Sequence, residues 1–258
     1  DYAAPAWQLA HAELAFELDP AQTLVQARLQ LQPDPAQPGA PLVLDGVALD
    51  LRAIAIDGVA LEATRYNYDG RHLQVHGITA ACMLETTVAI APAANTRLEG
   101  LYASGALLLT QCEAEGFRRI TFFPDRPDVM PRWRIVLRAS RERFPVLLAN
   151  GNPVPTRTLD GGRHEATWEN PHPTPAYLFA IAAGPLERVT TTLDTAEGRR
   201  VELNVWAEAG DVARCRYALG AVERALRWDE QRFGRCYDLD VFNVVAAQDF
   251  TMGAMENK

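Results

Sequence analysis

Apolar and polar residues alternate one by one through much of the first two-thirds of the chain. WQLAHAELAFELD (Trp7 to Asp19) does so, and TLVQARLQLQ (Thr23 to Gln32) repeats the pattern after the break at Asp19-Pro20. A period of two puts successive side chains on opposite faces and predicts half-buried strands. LRAIAIDGVALE sets Asp57-Gly58 between two such runs, the strongest short-range hairpin signal. YDGRHLQVHG repeats the device at Asp69-Gly70. CMLETTVAIAP, PRWRIVLRAS, FPVLLANG and RHEATWEN continue the alternation with Gly, Pro and Asn at the turns, and the Pro-rich PDPAQPGAP (Pro33 to Pro41) reads as a surface connection. Closely spaced strands punctuated in this way predict a sandwich or a large curved antiparallel sheet.

The character changes after TPAYLFAIAAGPLERV, a closing strand punctuated by Gly184-Pro185. VELNVWAEAG predicts a further strand. Asp211 is placed to cap a helix running through VARCRYALGAVERALRWDEQRF to Gly234. Ala218, Ala221, Val222, Ala225 and Leu226 share one face of that helix. DVFNVVAAQ follows as a strand and leads into GAMEN. The expectation is a mainly β fold of two parts: a β-domain over residues 1–185, then the incomplete beginning of a mixed α+β domain over 186–258. The helix of that second part is expected to expose an apolar face that later sequence would cover.

Charge and composition narrow the function. The formal net charge of −8 over 258 residues argues against nucleic acid or an anionic membrane as partner, because both need a basic surface. It favours a cationic ligand such as a free amine. No apolar run approaches a membrane span. Cys82, Cys112, Cys215 and Cys236 show no C-x-x-C spacing, so reduced thiols in a cytoplasmic protein are expected.

The histidines offer no metal site. His72 and His76 have the spacing of a helical zinc pair, but they lie in a strand pattern, where that spacing amounts to roughly 13 Å. One zinc ion with bonds of about 2 Å cannot join them. His164-Glu165 opens like H-E-x-x-H, yet Trp168 stands where the second histidine belongs.

Two acidic stretches carry the candidate chemistry. In TQCEAEGFRRITFFPDRPDVMPRW, Gln111, Glu113 and Glu115 alternate, which on an extended segment puts them on one face. Like charges there raise one another's proton affinity unless a cation lies between them or water solvates them. The plainer reading is a solvated strand edge paired with Arg118, Arg119 and Arg126. In MGAMENK, Gly253 lets a backbone approach a ligand closely and Glu256 adds a carboxylate; the plainer reading is a loop after a strand.

Taken together, these residues resemble the zinc aminopeptidase N family. GAMEN (Gly253 to Asn257) is similar to its exopeptidase signature. TQCEAEGFRRITFFPDRPDV, the DY-x-x-P opening (Asp1, Tyr2, Pro5) and PAYLFAIAAG (Pro175 to Gly184) resemble its bacterial members. The resemblance implies an N-terminal saddle-like antiparallel β-sandwich domain followed by the truncated start of a thermolysin-like catalytic domain. It implies zinc in the complete enzyme, held by H-E-x-x-H and a later glutamate beyond GAMEN. No metal ligand or catalytic residue is then expected in this chain, and no activity from it alone. The implied roles are substrate-binding. Glu256 takes the α-ammonium of a peptide, Glu113 and Gln111 complete that anchor, and the Gly253-Ala254 backbone lines the scissile peptide. Met252 shapes the pocket for the first side chain, and Met255 and Asn257 complete the motif. The implied partners are peptides with a free N-terminus and the remaining C-terminal part of the same chain. The alternative is a stand-alone, non-catalytic β-rich module that binds free amines or peptide N-termini.

Overall fold

The computed structural model describes residues 2–250 and 252–258, so Asp1 of the opening motif and Thr251 lie outside it. The alternating runs form the predicted strands. An eight-stranded sheet runs in the spatial order Asn152–Leu159, Arg163–Asn170, Arg132–Ser140, Trp7–Glu17, Thr23–Pro33, Cys82–Ile90, Asp50–Ile56, Val59–Ala60. Leu14 and Phe16 on one strand and Val25, Ala27 and Leu29 on its neighbour, alternate residues of each, are buried. The Asp57-Gly58 hairpin is present. Both residues have positive φ, 52° and 78°, and Ala55 pairs with Ala60 across them, as a right-twisted two-residue turn requires. At the second hairpin the Asp69 carboxylate accepts the backbone N–H groups of Arg71 and His72, both at 2.7 Å.

The antiparallel expectation needs one correction. Trp7–Glu17 lies parallel to Arg132–Ser140, with His11 opposite Arg132 and Glu17 opposite Arg138. Parallel neighbours need a long crossover, and residues 18–131 supply it. Arg200–Glu208 and Val241–Val245 are also parallel, with the predicted helix, α1 (Arg216–Phe233), as their crossover.

The solvent face of the large sheet carries a ladder of alternating charge. Glu85, Arg28, Glu13, Arg134 and Glu169 stand on five adjacent strands, with nearest contacts between 3.2 and 3.9 Å. A second row runs Glu17, Arg138, Glu165, Arg157. Exposed pairs contribute little each. A one-residue slip would turn the whole ladder inward, so it penalises wrong register strongly.

The core joins this sheet to a four-stranded one, ordered Val146–Ala149, Ile181–Gly184, Leu107–Gln111, Gly100–Ser104. An aromatic cluster lies between them. Phe117 sits with its ring centroid 4.8 Å from Phe123, 5.4 Å from Trp133 and 5.0 Å from Phe179. Trp133 Nε1 donates to Thr174 O at 2.8 Å, so its one polar atom is satisfied. The same core continues past residue 186, because Leu186 and Val241 belong to it and Trp206, Val245 and Ala247 pack against it.

A three-stranded sheet (Leu186–Asp194, Arg200–Glu208, Val241–Val245) carries α1 on one face. Val222 and Leu226, two residues of the expected apolar face, pack with Leu219 on Leu193, Val201 and Leu203, so this part of the face is covered by its own sheet rather than left exposed as expected. Ala225 is exposed instead, on the outer side with Tyr217 and Trp228. Gly234, at φ 63°, ends the helix. The start differs from expectation. Val212–Cys215 form a 3₁₀ turn, and Asp211 makes no side-chain cap there. Its backbone is already near-helical, at φ −109° and ψ −11°, whereas a capping residue is extended; its carboxylate takes Arg214 at 2.8 Å. Cys82, Cys112, Cys215 and Cys236 are all free.

Because Phe117 is wholly buried in this cluster, Phe117→Ala is expected to lower the unfolding free energy by about 3–5 kcal/mol. Tyr217→Ala, on the exposed side of α1, is expected to stay within about 0.5 kcal/mol. Urea denaturation of the two variants checks both; equal effects would contradict the assignment of the core.

Candidate functional site

The first acidic stretch does not stay extended. Gln111 ends its strand opposite Gly100, and the chain then turns at once. Gly116 N donates to Cys112 O at 2.8 Å, and the Glu113–Ala114 peptide is cis. Gln111 is consequently buried at the sheet end, whereas Glu113 and Glu115 are exposed on the turn. The expectation of three side chains on one face is corrected. The physical reason is Gly116, where a Cβ would stand 2.4 Å from Gln111 O and 3.0 Å from Gly100 N. Only glycine lets the chain close on itself so tightly.

Gln111 Nε2 donates to Glu113 O at 3.4 Å, while its Oε1 is buried with no partner among the described residues. Cys112 beside it is inert, because full burial pushes its thiol well above the ordinary range.

Among the described residues, Arg118, Arg119 and Arg126 pair with Glu113 or Glu115 only once, through Arg118 and Glu115 at 3.3 Å. Arg118 also donates from Nε to Asp125 at 3.0 Å. Burial raises the Asp125 pKa, and the hydrogen bond and charge of Arg118 oppose that shift. Arg119 turns to Glu99 at 2.8 Å and Arg126 to Asp128 at 2.7 Å. Among the described residues Glu113 takes part in no ion pair. It borders a cleft of about 280 Å³ with Arg71, His72, Glu99, Arg118 and Arg119.

The second acidic stretch is held to the β-domain at both ends. Asp249, at φ 49°, accepts Ser104 Oγ on Oδ2 at 2.9 Å, and Tyr102 donates to its carbonyl at 3.3 Å. Asn257 accepts Asn150 Nδ2 on its carbonyl at 2.5 Å and donates from Nδ2 to Leu178 O at 3.1 Å. Lys258 reaches Asp238 at 2.5 Å. Between these attachments Met252, Gly253, Ala254 and Glu256 are exposed, and Met255 and Asn257 half-buried. Gly253 takes φ 75° with open space around it.

Strand register relates the two stretches. Leu178 lies just before Ile181–Gly184, whose Ala182 pairs with Leu109, and Gln111 ends that same partner strand. Asn257 and Gln111 therefore sit at the same end of the four-stranded sheet. No hydrogen bond or ion pair among the described residues joins Glu256 to Gln111 or Glu113. The attachment residues Tyr102, Ser104, Asn150 and Asp249 are absent from the sequence-based candidates. Asn150-Gly151 reads in sequence only as turn punctuation, and nothing local marks Ser104.

The described residues do not fit a zinc site: no three His, Cys, Asp or Glu side chains converge to hold a metal. His164 Nε2 is spent on Phe144 O at 2.8 Å, His72 lies between Asp45 and Asp69, and His172 faces Asp238. No described helix is long and apolar enough to cross a membrane.

A domain of this architecture, with its last residues returned to the β-domain beside an acidic turn, defines a class. Residues 8–178 match the Peptidase M1 N-terminal domain, and the chain belongs to that family. It is 47% identical over 258 residues to aminopeptidase N of Caulobacter vibrioides, covering all of this chain and 30% of the relative. It is 42% identical to aminopeptidase N of Escherichia coli K12, covering 29% of that protein. The chain thus spans about a third of the length of these relatives. It superposes on aminopeptidase A of Legionella pneumophila, solved in complex with aspartic acid, with a TM-score of 0.94 at 30% identity over the whole chain and 31% of that one. An M1 zinc metallopeptidase from Deinococcus radiodurans shares the fold, with a TM-score of 0.78 at 19% identity over 93% of this chain and 56% of that one.

Adding a methyl at Gly116 is expected to force the Gln111–Gly116 turn apart. Gly116→Ala should destabilise by about 1–3 kcal/mol, the cost of overpacking, and release Gln111 from its buried position. A melting temperature unchanged from that of the parent chain would show that the turn tolerates the methyl.

Proposed function

We propose that this chain is the N-terminal part of a zinc metallo-aminopeptidase and supplies the anchor for the free α-ammonium of a peptide. In this reading residues 1–185 are the β-domain and 186–258 open a thermolysin-like catalytic domain. The zinc is held by polypeptide outside these residues. Glu256 accepts the ammonium, Glu113 and Gln111 complete the acceptor set, Gly253-Ala254 pairs with the peptide backbone as an added strand would, and Met252 borders the first side chain. The four free thiols fit a reducing, cytoplasmic setting. What supports the reading most is that Asn257, adjacent to Glu256, shares one end of the four-stranded sheet with Gln111, whose Oε1 has no donor among the described residues.

The chemistry follows from charge. An α-amino group with pKa about 8 is mostly protonated at neutral pH. Each hydrogen bond from it to a carboxylate contributes about 1.5–3 kcal/mol. A peptide whose nitrogen is acylated brings no charge, and covering the carboxylates without a counter-ion costs about 3–5 kcal/mol. The anchor therefore selects the first peptide bond by its distance from the free amine.

Two measurements test this. The 258-residue chain supplied with zinc is expected to leave a panel of aminoacyl chromogenic amides unhydrolysed. In the polypeptide at its relatives' full length, Glu256→Gln is expected to lower kcat/KM for free-amine substrates by about a hundredfold or more. Turnover by the short chain that disappears with Glu256→Gln would mean a complete active site here, and a full-length Glu256→Gln variant with unchanged kcat/KM would remove Glu256 from the anchor.

A further inference from the structure

Asn150 stands immediately after the Val146–Ala149 strand and uses its whole amide. Oδ1 accepts Ala180 N at 2.6 Å, while Nδ2 donates to Leu178 O at 3.0 Å and to Asn257 O at 2.5 Å. Asn257 returns a bond from its own Nδ2 to the same Leu178 carbonyl. Two side-chain amides and the two carbonyls of Leu178 and Asn257 thus close a ring of three bonds joining residues 107 and 79 positions apart in sequence. Phe179, between the two residues that Asn150 holds, meets Phe117 edge to face with ring centroids 5.0 Å apart. Phe117 directly follows Gly116 of the Glu113 turn. A continuous, packed path therefore runs from Glu113 through Phe117, Phe179 and Asn150 to Asn257 and its neighbour Glu256.

We propose that Asn150 is a positioning residue that sets where Glu256 stands relative to Glu113 and Gln111. The proposal rests on the reading of those residues as the amine anchor and assigns the spacing of that anchor to a side chain of the β-domain. The amide chemistry makes the assignment specific. Asparagine presents one acceptor and two donors, and the three partners here are one N–H and two carbonyls. Aspartate keeps the bond to Ala180 N but presents an oxygen to Leu178 O and Asn257 O. Among the described residues, 252–256 make no side-chain hydrogen bond or ion pair of their own, and the Glu256 side is held by the Asn150–Asn257 bond, the Asn257–Leu178 bond and the Lys258–Asp238 pair, so loss of the Asn150–Asn257 bond loosens the segment at the Glu256 side.

The test uses two variants and two readouts. Asn150→Asp breaks the contact from the β-domain side. Asn257→Ala removes the second strut of the clamp, the bond from Asn257 Nδ2 to Leu178 O, and leaves Asn150 holding Ala180, Leu178 and the backbone carbonyl of residue 257, so that a folding defect in the first variant does not decide the matter. In the 258-residue chain, the backbone order parameters of Gly253 to Glu256 are expected to drop from about 0.85 to below about 0.6 in both variants. Values that are equal in the parent chain and in both variants would overturn the clamp. In the full-length polypeptide, both variants are expected to raise KM for an aminoacyl anilide about tenfold, with kcat changed less than about threefold. Order lost without a rise in KM, while Glu256→Gln does raise KM, would overturn the positioning role. If Glu256→Gln itself leaves KM unchanged, the anchor reading fails, and the clamp is then judged on the order parameters alone.

Discussion

The packing of Phe117 against Phe123, Trp133 and Phe179 is the contact on which the rest of the arrangement depends. Each of these rings belongs to a different stretch of chain. Phe117 closes the Glu113 turn, Phe123 follows it, Trp133 lies on the strand parallel to the first one, and Phe179 precedes the last strand of the four-stranded sheet. Burying them together fixes the large sheet, the small sheet and the acidic turn in one step. Aromatic pairs at these separations and near-perpendicular angles add to area burial. Trp133 also satisfies its indole N–H on Thr174, so the cluster contains no unmet donor.

That cluster explains why the second sheet is not an independent attachment. Leu186 and Val241 are buried in the core that the aromatic rings belong to. Polar contacts reinforce the seam: Asn152 exchanges bonds with Asp240 at 2.7 and 3.1 Å. α1, by contrast, packs its inner face on its own sheet, and Tyr217, Trp228 and Phe233 remain exposed on it. The strands next to the seam are thus held from both sides and the helix from one.

Most of the β architecture was legible because its signals are local. Alternation at period two, Asp57-Gly58 and Gly234 each act through the backbone of a few residues, and each stands where the sequence placed it. What failed was of another kind. The parallel pairing of Trp7–Glu17 with Arg132–Ser140 joins segments separated by more than a hundred residues, and alternation reads the same whether a neighbour runs up or down. The extended reading of Gln111 to Glu115 failed because Gly116 matters through its clearance from Gln111 O and Gly100 N, which only the fold reveals. Asp211 failed as a cap because its backbone had already entered the 3₁₀ turn. The candidate residues were read from the two acidic stretches, whereas Tyr102, Ser104 and Asn150, which hold the second stretch, carry no local mark.

The disposition of the two carboxylates then has a physical logic. Glu113 and Glu256 are exposed and without ion pairs among the described residues, while almost every neighbouring acid is committed: Glu99 to Arg119, Glu115 and Asp125 to Arg118, Asp238 to Lys258. A carboxylate kept in water costs nothing to leave unpaired, so the fold can hold both charges ready without paying the desolvation of a buried acid. The penalty falls only when something covers them. A covering group that carries its own positive charge cancels it, and one that does not must bear it in full. In the amine anchor proposed above, discrimination of that kind needs the two charges fixed in separation rather than strongly held, because the hydrogen bonds of an ammonium are short and directional. Rigid attachment on either side of an otherwise open segment, with one acidic turn packed on an aromatic core, meets that requirement more directly than burying the carboxylates would.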